Sequence, residues 1–344
     1  MSRTFTIGID IGGTSVRAAV IDDDCQVVAS RRAFTPRTVA DTDDVLSRLI
    51  LELAAEYEVG AAGLAVAGFV STDLSRVMFA PHLAWRGDPV PARLTARLGL
   101  PVVMDHDVNS AAWAEYRRGA AAGSPVALLI ALGTGIGAGL VVDGTIYRGA
   151  HGVAPELGHV VVVPGGRPCP CGKRGCWERY CSGTALAQTA LDLLHGASEG
   201  MSAPLPAADR ASSPLSAADR SASPLATVAP AAITGTMVAA AASAGDPVAL
   251  AAMADLSRWL GVGLAMATDI LDPEVIVIGG GVAAAAPLYL PGAVADLSLA
   301  ITGAGHRPEP RVVVAKFGDR AGIIGAALLA GAAVGTPPVD LASA

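Results

Sequence analysis

The sequence predicts an α/β fold in two lobes, and three observations point there. Apolar strand-like runs end on glycine-rich turns at Gly12-Gly13-Thr14, Gly133-Thr134-Gly135 and Gly279-Gly280-Gly281. Such runs alternate with helical spacing in both halves of the chain. The length, 344 residues, suits two domains and a full core.

The elements follow in order. Residues 4–10 form the first expected strand, and residues 15–21 and 26–30 follow as strands around an Asp22-Asp23-Asp24 turn. The spacing of Val45, Leu46, Leu49, Leu53 and Ala54 predicts a helix over 41–57, capped by Asp41 or Thr42. Residues 61–67 read as a buried strand, and Asp88-Pro89 as the cap and first position of a helix reaching residue 98. A strand over 101–104 meets a helix over 108–118, and residues 127–142 hold two apolar strands about a glycine turn. Residues 149–181 are loop-like. Asp246-Pro247 opens a helix to about residue 271, a strand over 275–278 enters the triple glycine, and a strand over 312–315 precedes a helix over 321–330.

Composition removes several classes of function. The net charge is -7 and the pI about 5.3, which argues against a nucleic-acid partner. The N-terminus shows no charged region followed by an apolar one, so no secretory signal is expected. The 17-residue apolar run over 126–142 carries four glycines and fits two strands better than a membrane span. A soluble, cytoplasmic protein is expected. The five cysteines, four of them within 13 residues, suit a metal site rather than a disulfide framework.

One segment breaks the pattern. Pro204-Leu205-Pro206-Ala207-Ala208-Asp209-Arg210 recurs ten residues later as Pro214-Leu215-Ser216-Ala217-Ala218-Asp219-Arg220. This period matches no packed repeat, and the Ala, Ser and Pro content buries little. Residues 199–231 are expected to be a flexible low-complexity insertion.

The chemistry-bearing motifs are local. Cys169-Pro170-Cys171, with Cys176 five residues on and His159 ten residues upstream, supplies three thiolates and an imidazole. That set closes a tetrahedral structural zinc shell; reduced loop cysteines are the plainer alternative. Cys25 and Cys181 fall outside the spacing and read as buried thiols. The three glycine turns can close backbone amides around phosphate oxygens, with Thr14 and Thr134 as added donors. None ends in the Lys-Ser/Thr of a P-loop, which disfavours that fold, and the apolar strand over 139–142 is the wrong context for a dinucleotide fingerprint, leaving a dehydrogenase as a distant alternative. Asp107, where a strand meets a helix, is either a helix cap or a carboxylate able to take a proton during phosphoryl transfer.

In order, residues 10–14, 81–86, 105–115, 132–139, 156–159, 169–178 and 275–281 resemble the ROK sugar kinases (repressor, open reading frame, kinase), especially bacterial glucokinases. The Glu-Leu-Gly-His segment followed by Cys-x-Cys-Gly-x-x-Gly-Cys-x-Glu is the most specific part. The resemblance covers nearly the whole chain outside 199–231. It implies an actin-like, ribonuclease H-like fold of two lobes, with sugar and ATP meeting in the cleft. Residues 1–118 would be the smaller lobe, with the catalytic aspartate at its edge. Residues 119–335 would form the larger lobe with a zinc loop over 159–176, and a last helix over 320–332 would pack back toward the first lobe.

The resemblance also implies roles. Asp107 would be the catalytic base, with Gly68, His82, His106, Glu156, His159 and Glu178 beside it in the sugar site. Asp10, Gly12, Gly13, Thr14, Gly133, Thr134, Gly135 and Gly280 would serve ATP, with Asp10 orienting waters around Mg²⁺. Zn²⁺ on His159, Cys169, Cys171 and Cys176 would orient the sugar loop through the shared imidazole. The protein would be a homodimer or homotetramer with no nucleic-acid or membrane partner. Four positions depart from the pattern: His106 and His82 stand where asparagine is usual, Ser15 where lysine is, and Pro155 where glycine is. The expected function is ATP-dependent phosphorylation of a hexose, glucose first. A kinase for N-acetylmannosamine or fructose, or a sugar-binding regulator without turnover, is the alternative. ROK repressors carry a helix-turn-helix before the first strand, where this sequence has about three residues.

Overall fold

The computed structural model describes residues 5–196 and 215–335. In chain order, the first part holds β1 (Phe5–Ile11), β2 (Ser15–Ile21), β3 (Val27–Phe34), α1 (Val39–Ala54), β4 (Val59–Val66), β5 (Phe69–Val70), β6 (Val77–Phe79), α2 (Val90–Leu98), β7 (Val102–His106) and α3 (Asp107–Arg118). Then come β8 (Val126–Leu132), β9 (Ile136–Val142), β10 (Thr145–Tyr147), α4 (Gly183–Leu194), α5 (Ala217–Ala222), α6 (Gly235–Ser243) and α7 (Pro247–Leu271). The chain closes with β11 (Val275–Gly279), α8 (Ala286–Ala300), β12 (Arg311–Val314) and α9 (Ala321–Ala333). It divides into two units, one of residues 1–129, 138–155 and 315–344, the other of 130–137 and 156–314.

The first unit is built on a sheet of order β3-β2-β1-β4-β7. β1, β2 and β3 pair antiparallel, while β1, β4 and β7 run parallel. Alternation along β1 sends Ile7, Ile9 and Ile11 into a core with Leu46, Leu49, Ile50 and Leu53 of α1. Gly8 and Asp10 take the other face. There Gly8 pairs with Gly63 of β4, and α9 lies directly on the two. A Cβ on Gly8 would sit 1.9 Å from Ile323 O, and one on Gly63 1.9 Å from Ala326 O. Helix α9 is apolar all round, and its first turns, Ile323 to Ala327 and Ala330, are buried. Glu115 of α3, fully buried, accepts the amides of Ala120 at 2.8 Å, Lys316 at 3.0 Å and Phe317 at 2.8 Å, which ties α3 to the lead into α9.

The second five-stranded sheet has order β10-β9-β8-β11-β12, with β11 and β12 parallel. In the second unit, α7 packs with α8, α4 and α6. Buried Trp177 donates from Nε1 to Trp259 O at 2.8 Å, and Gly263 leaves room for its ring, since a Cβ there would come within 1.9 Å of Trp177 Cζ2. By length and composition, α7 and the segment Gly281–Ala300 could each cross a bilayer; 72% of the α7 window is buried in the fold, as in a core helix.

Four expectations change, among them the cap of α1, which is Thr38 rather than Asp41 or Thr42. Of the 199–231 segment, residues 199–214 lie outside the described residues. Residues 215–231 are ordered: Ser216 and Asp219 form a capping box on α5, Leu225 is buried, and Ser223 Oγ donates to Asp246 Oδ2 at 3.1 Å. Composition averaged over a window misses a two-residue capping box and one well-placed leucine. The α2 cap shifts by one residue, to Pro89; the Asp88 carboxylate instead accepts Arg86 N at 2.7 Å and Arg93 Nη1 at 3.2 Å. Helix α3 begins at Asp107, so His106 is its cap residue and Asp107 its first turn. Cys25 and Cys181 are buried, as expected, and burial pushes both thiols up.

Candidate active site

In the first unit, the parallel register aligns Asp10 of β1 with Ala65 of β4, and Ala65 with Asp105 of β7. Open parallel sheets bind ligands at such carboxyl ends. The glycine turn Gly12-Gly13-Thr14 follows directly. It lines a cavity of about 310 Å³ together with Asp10, Ser15, Arg17 and Arg32. Thr35 holds the turn from β3: its Oγ1 donates to Gly12 O at 2.6 Å and its amide to Thr14 O at 3.1 Å.

Asp10 accepts Arg17 Nη2 at 2.6 Å and Nε at 3.2 Å, both on Oδ2, and Arg17 reaches on to Asp319 at 3.3 Å. Burial nonetheless raises the Asp10 carboxyl above its ordinary range, and the charge of Asp107 adds to the rise. Asp107 lies at the start of α3. Its Oδ1 accepts the Val108 amide at 2.8 Å and stands 3.3 Å from His106 Nε2. Its side chain is 35% exposed. His82 packs on the Gly12–Thr14 turn: a Cβ on Gly13 would meet His82 Cβ at 2.7 Å. Gly68 is pressed against Ala80, where a Cβ would come within 2.6 Å of the Ala80 Cβ.

The second unit holds the cysteine cluster. The ligand atoms of His159, Cys169, Cys171 and Cys176 all lie within 4.8 Å of one another. His159 Nδ1 is 3.6 Å from Cys169 Sγ, and Cys171 Sγ is 3.6 Å from Cys176 Sγ. A tetrahedral zinc with bonds of about 2.3 Å to sulfur and about 2.0 Å to nitrogen requires edges of roughly 3.5–3.8 Å. The donor set and its spacing therefore fit Zn²⁺. Burial raises the Cys169 and Cys176 thiols. At Cys171 the opposing pull of the Lys173 amide and the neighbouring sulfurs outweighs burial and lowers the thiol.

Two carboxylates adjoin the cluster. Glu178 Oε1 lies 3.6 Å from His159 Nδ1 and 3.1 Å from Cys169 Sγ, and Glu156 Oε2 lies 3.8 Å from His159 Nε2. With Nδ1 on a metal, Nε2 carries the ring proton and faces Glu156. Gly135 abuts this group as well, because a Cβ there would sit 2.4 Å from Glu178 Oε2. This is a constraint the glycine spacing does not show.

Glycines also build a cavity of about 760 Å³ in the second unit. Gly183 N donates to Gly133 O at 2.8 Å, a Cβ on Gly235 would strike Gly183 O at 2.5 Å, and one on Gly280 would strike Leu132 O at 2.5 Å. Thr134, Thr184, Thr234 and Thr236 add hydroxyls around the space, and Gly281 and Val282 line it opposite. Gly183, Thr184, Thr234, Gly235 and Thr236 were missed from the sequence. They sit at the first turns of α4 and α6, whose Ser182 and Thr234 caps were the available signal.

The ROK family model matches residues 6–333. The chain is 36% identical over 325 residues to a glucokinase of Streptomyces coelicolor, covering 94% of this chain and 97% of that one. It is 32% identical over 300 residues to a glucokinase of Halalkalibacterium halodurans, covering 84% of each. Among solved structures, a ROK family glucokinase from Streptomyces griseus in complex with glucose and AMPPNP matches with a TM-score of 0.80. The two are 35% identical over 95% of this chain and 99% of that one.

Proposed function

The chain belongs to the ROK family and is a sugar kinase, and on that premise we propose that it transfers the γ-phosphate of ATP to the 6-hydroxyl of glucose, with Asp107 as general base. The glucokinase relatives support the sugar, and the griseus structure with glucose and AMPPNP supports the donor.

The observation that carries the base assignment is the pairing of the carboxylates at the ends of β1 and β7. Asp10 is held by Arg17 and Asp105 by Arg148, while the Asp107 carboxylate, among the described residues, meets its own-turn amide and the His106 ring and no arginine. A general base needs a carboxylate that no arginine neutralises. In the reaction, the sugar oxygen bonds to the γ-phosphorus, its proton passes to Asp107, and the bond to the ADP oxygen breaks. The remaining work is positioning and charge neutralisation. Glycine amides and threonine hydroxyls at Gly12–Thr14 and Gly133–Thr134 would hold phosphate oxygens. Asp10, with Arg17 confined to Oδ2, fits a place near Mg²⁺, which neutralises the triphosphate when bound. His82, His106, Glu156, His159 and Glu178 would read sugar hydroxyls. The five free cysteines suit a reducing cytoplasm.

The test is Asp107→Asn. Coupled ADP release should fall by at least about 10³-fold, within the range general-base catalysis supplies, while calorimetry shows glucose binding retained. Turnover within tenfold of wild type would remove Asp107 from the role. A second reading, another hexose as the preferred substrate, is favoured by His106 in place of the expected asparagine.

A further inference from the structure

Asp105 stands two residues before Asp107 on β7 and is 1% exposed. Its oxygens are fully used. Oδ1 accepts the His106 amide at 2.8 Å and Asn109 Nδ2 at 2.9 Å; Oδ2 accepts Arg148 Nε at 3.1 Å and also Arg148 Nη2. Asn109 is itself 2% exposed, and its Oδ1 has no hydrogen-bond partner. A buried acceptor left unmade is costly, and the donor that Asn109 gives Asp105 offsets part of that cost. The charge is matched by Arg148, 43 residues away in sequence, at the start of a loop whose Ala154 amide donates back to Arg148 O at 3.1 Å. A carboxylate this deep needs both a countercharge and filled lone pairs, and here it has both.

We propose that Arg148 is a positioning residue for phosphoryl transfer: by clamping Asp105 it fixes the His106–Asp107 turn and leaves Asp107 the one carboxylate there able to take a proton. The inference rests on Asp107 being the base. The geometry gives the clamp a direct lever, because Asp105 Oδ1 holds the amide of His106, the residue bonded to Asp107. Without Arg148, the buried carboxylate would turn toward water or capture a proton, and either change pulls on that amide. A misplacement of about 1 Å at a reacting group costs about 100-fold in rate.

The experiment is steady-state kinetics with glucose and MgATP on full-length Arg148→Met, Asp105→Asn and the double variant. Arg148→Met should lower kcat about 100-fold while glucose KM stays within about twofold, the pattern of a lost transition-state alignment. The double variant, with no charge left at the clamp, should recover most of that kcat. Asp105→Asn alone should stay slow, since it leaves a guanidinium unpaired beside the base. A double variant as slow as Arg148→Met, or a loss confined to glucose KM, would overturn the proposal. Should Arg148→Met fail to fold, the other two variants decide: Asp105→Asn slower than the double variant supports the clamp, and equal rates overturn it. Asp107→Asn separates the two readings. If it keeps turnover, the base assignment is lost; if it abolishes turnover while Arg148→Met runs at the wild-type rate, only the role of Arg148 is lost.

Discussion

His106 shows how much a single side chain can state. The sequence marks it as an imidazole where the family pattern has asparagine, but its direction comes from the fold, with Nε2 3.3 Å from Asp107 Oδ1. A neutral imidazole offers one donor and one acceptor, a carboxamide two of each. A ring turned toward Asp107 therefore leaves less to bind a ligand hydroxyl. His106→Asn should change the ratio of kcat/KM between glucose and at least one other hexose by about tenfold or more, the scale of one hydrogen bond to a sugar hydroxyl. An unchanged ranking across a hexose panel would show that this imidazole does not set sugar choice. His82 is a different case. The resemblance gives it a sugar-reading role; the fold sets it against Gly13 of the Gly12–Thr14 turn. Spacing along a chain cannot show which loop a side chain lands on.

Most elements were legible because each carries its own signal. β1, β2, β4 and β7 announce themselves by apolar runs, and α7 by its Asp246-Pro247 start, where Asp246 indeed caps Ala249 N at 2.8 Å. Helices α6 and α8 escaped notice because runs of alanine and leucine leave no polar stripe to give a period; α4 does carry one, with Gln188 and Asp192 on the same side, and was missed all the same. The seat of α9 is a matter of register. Gly8 and Gly63 pair across β1 and β4, and together they make the shallow floor on which the helix backbone rests. Gly63→Val would drive a branched side chain into Ala326 O. Denaturant unfolding should show a loss of about 3 kcal/mol or an insoluble protein, as overpacking of a rigid contact requires. A midpoint equal to wild type would mean that α9 can slide.

At the scale of the whole molecule, the chain passes from one unit to the other and back, and the metal ligands fall together in the second unit with Glu156 and Glu178. Zinc should therefore govern sugar affinity before it governs folding. Dialysis against a chelator should weaken glucose binding about tenfold or more, the usual cost of disturbing the groups around a metal, while far-UV circular dichroism is retained and added Zn²⁺ restores binding. Simultaneous loss of binding and secondary structure would make the metal a fold determinant instead. The sequence by itself determined the α/β class, the glycine turns at the strand ends and the His159, Cys169, Cys171 and Cys176 group whose spacing fits a zinc ion. The glycine turns and the Cys/His group each depend on residues fewer than twenty positions apart, where covalent geometry limits the choices. Only the tertiary structure decided that Arg148 neutralises Asp105 from 43 residues away, that Glu115 anchors the amides of Lys316 and Phe317 some 200 residues on, and that no arginine among the described residues pairs with Asp107. Charge pairing across such distances is set by strand register and helix seating, and neither is written in any local run of residues.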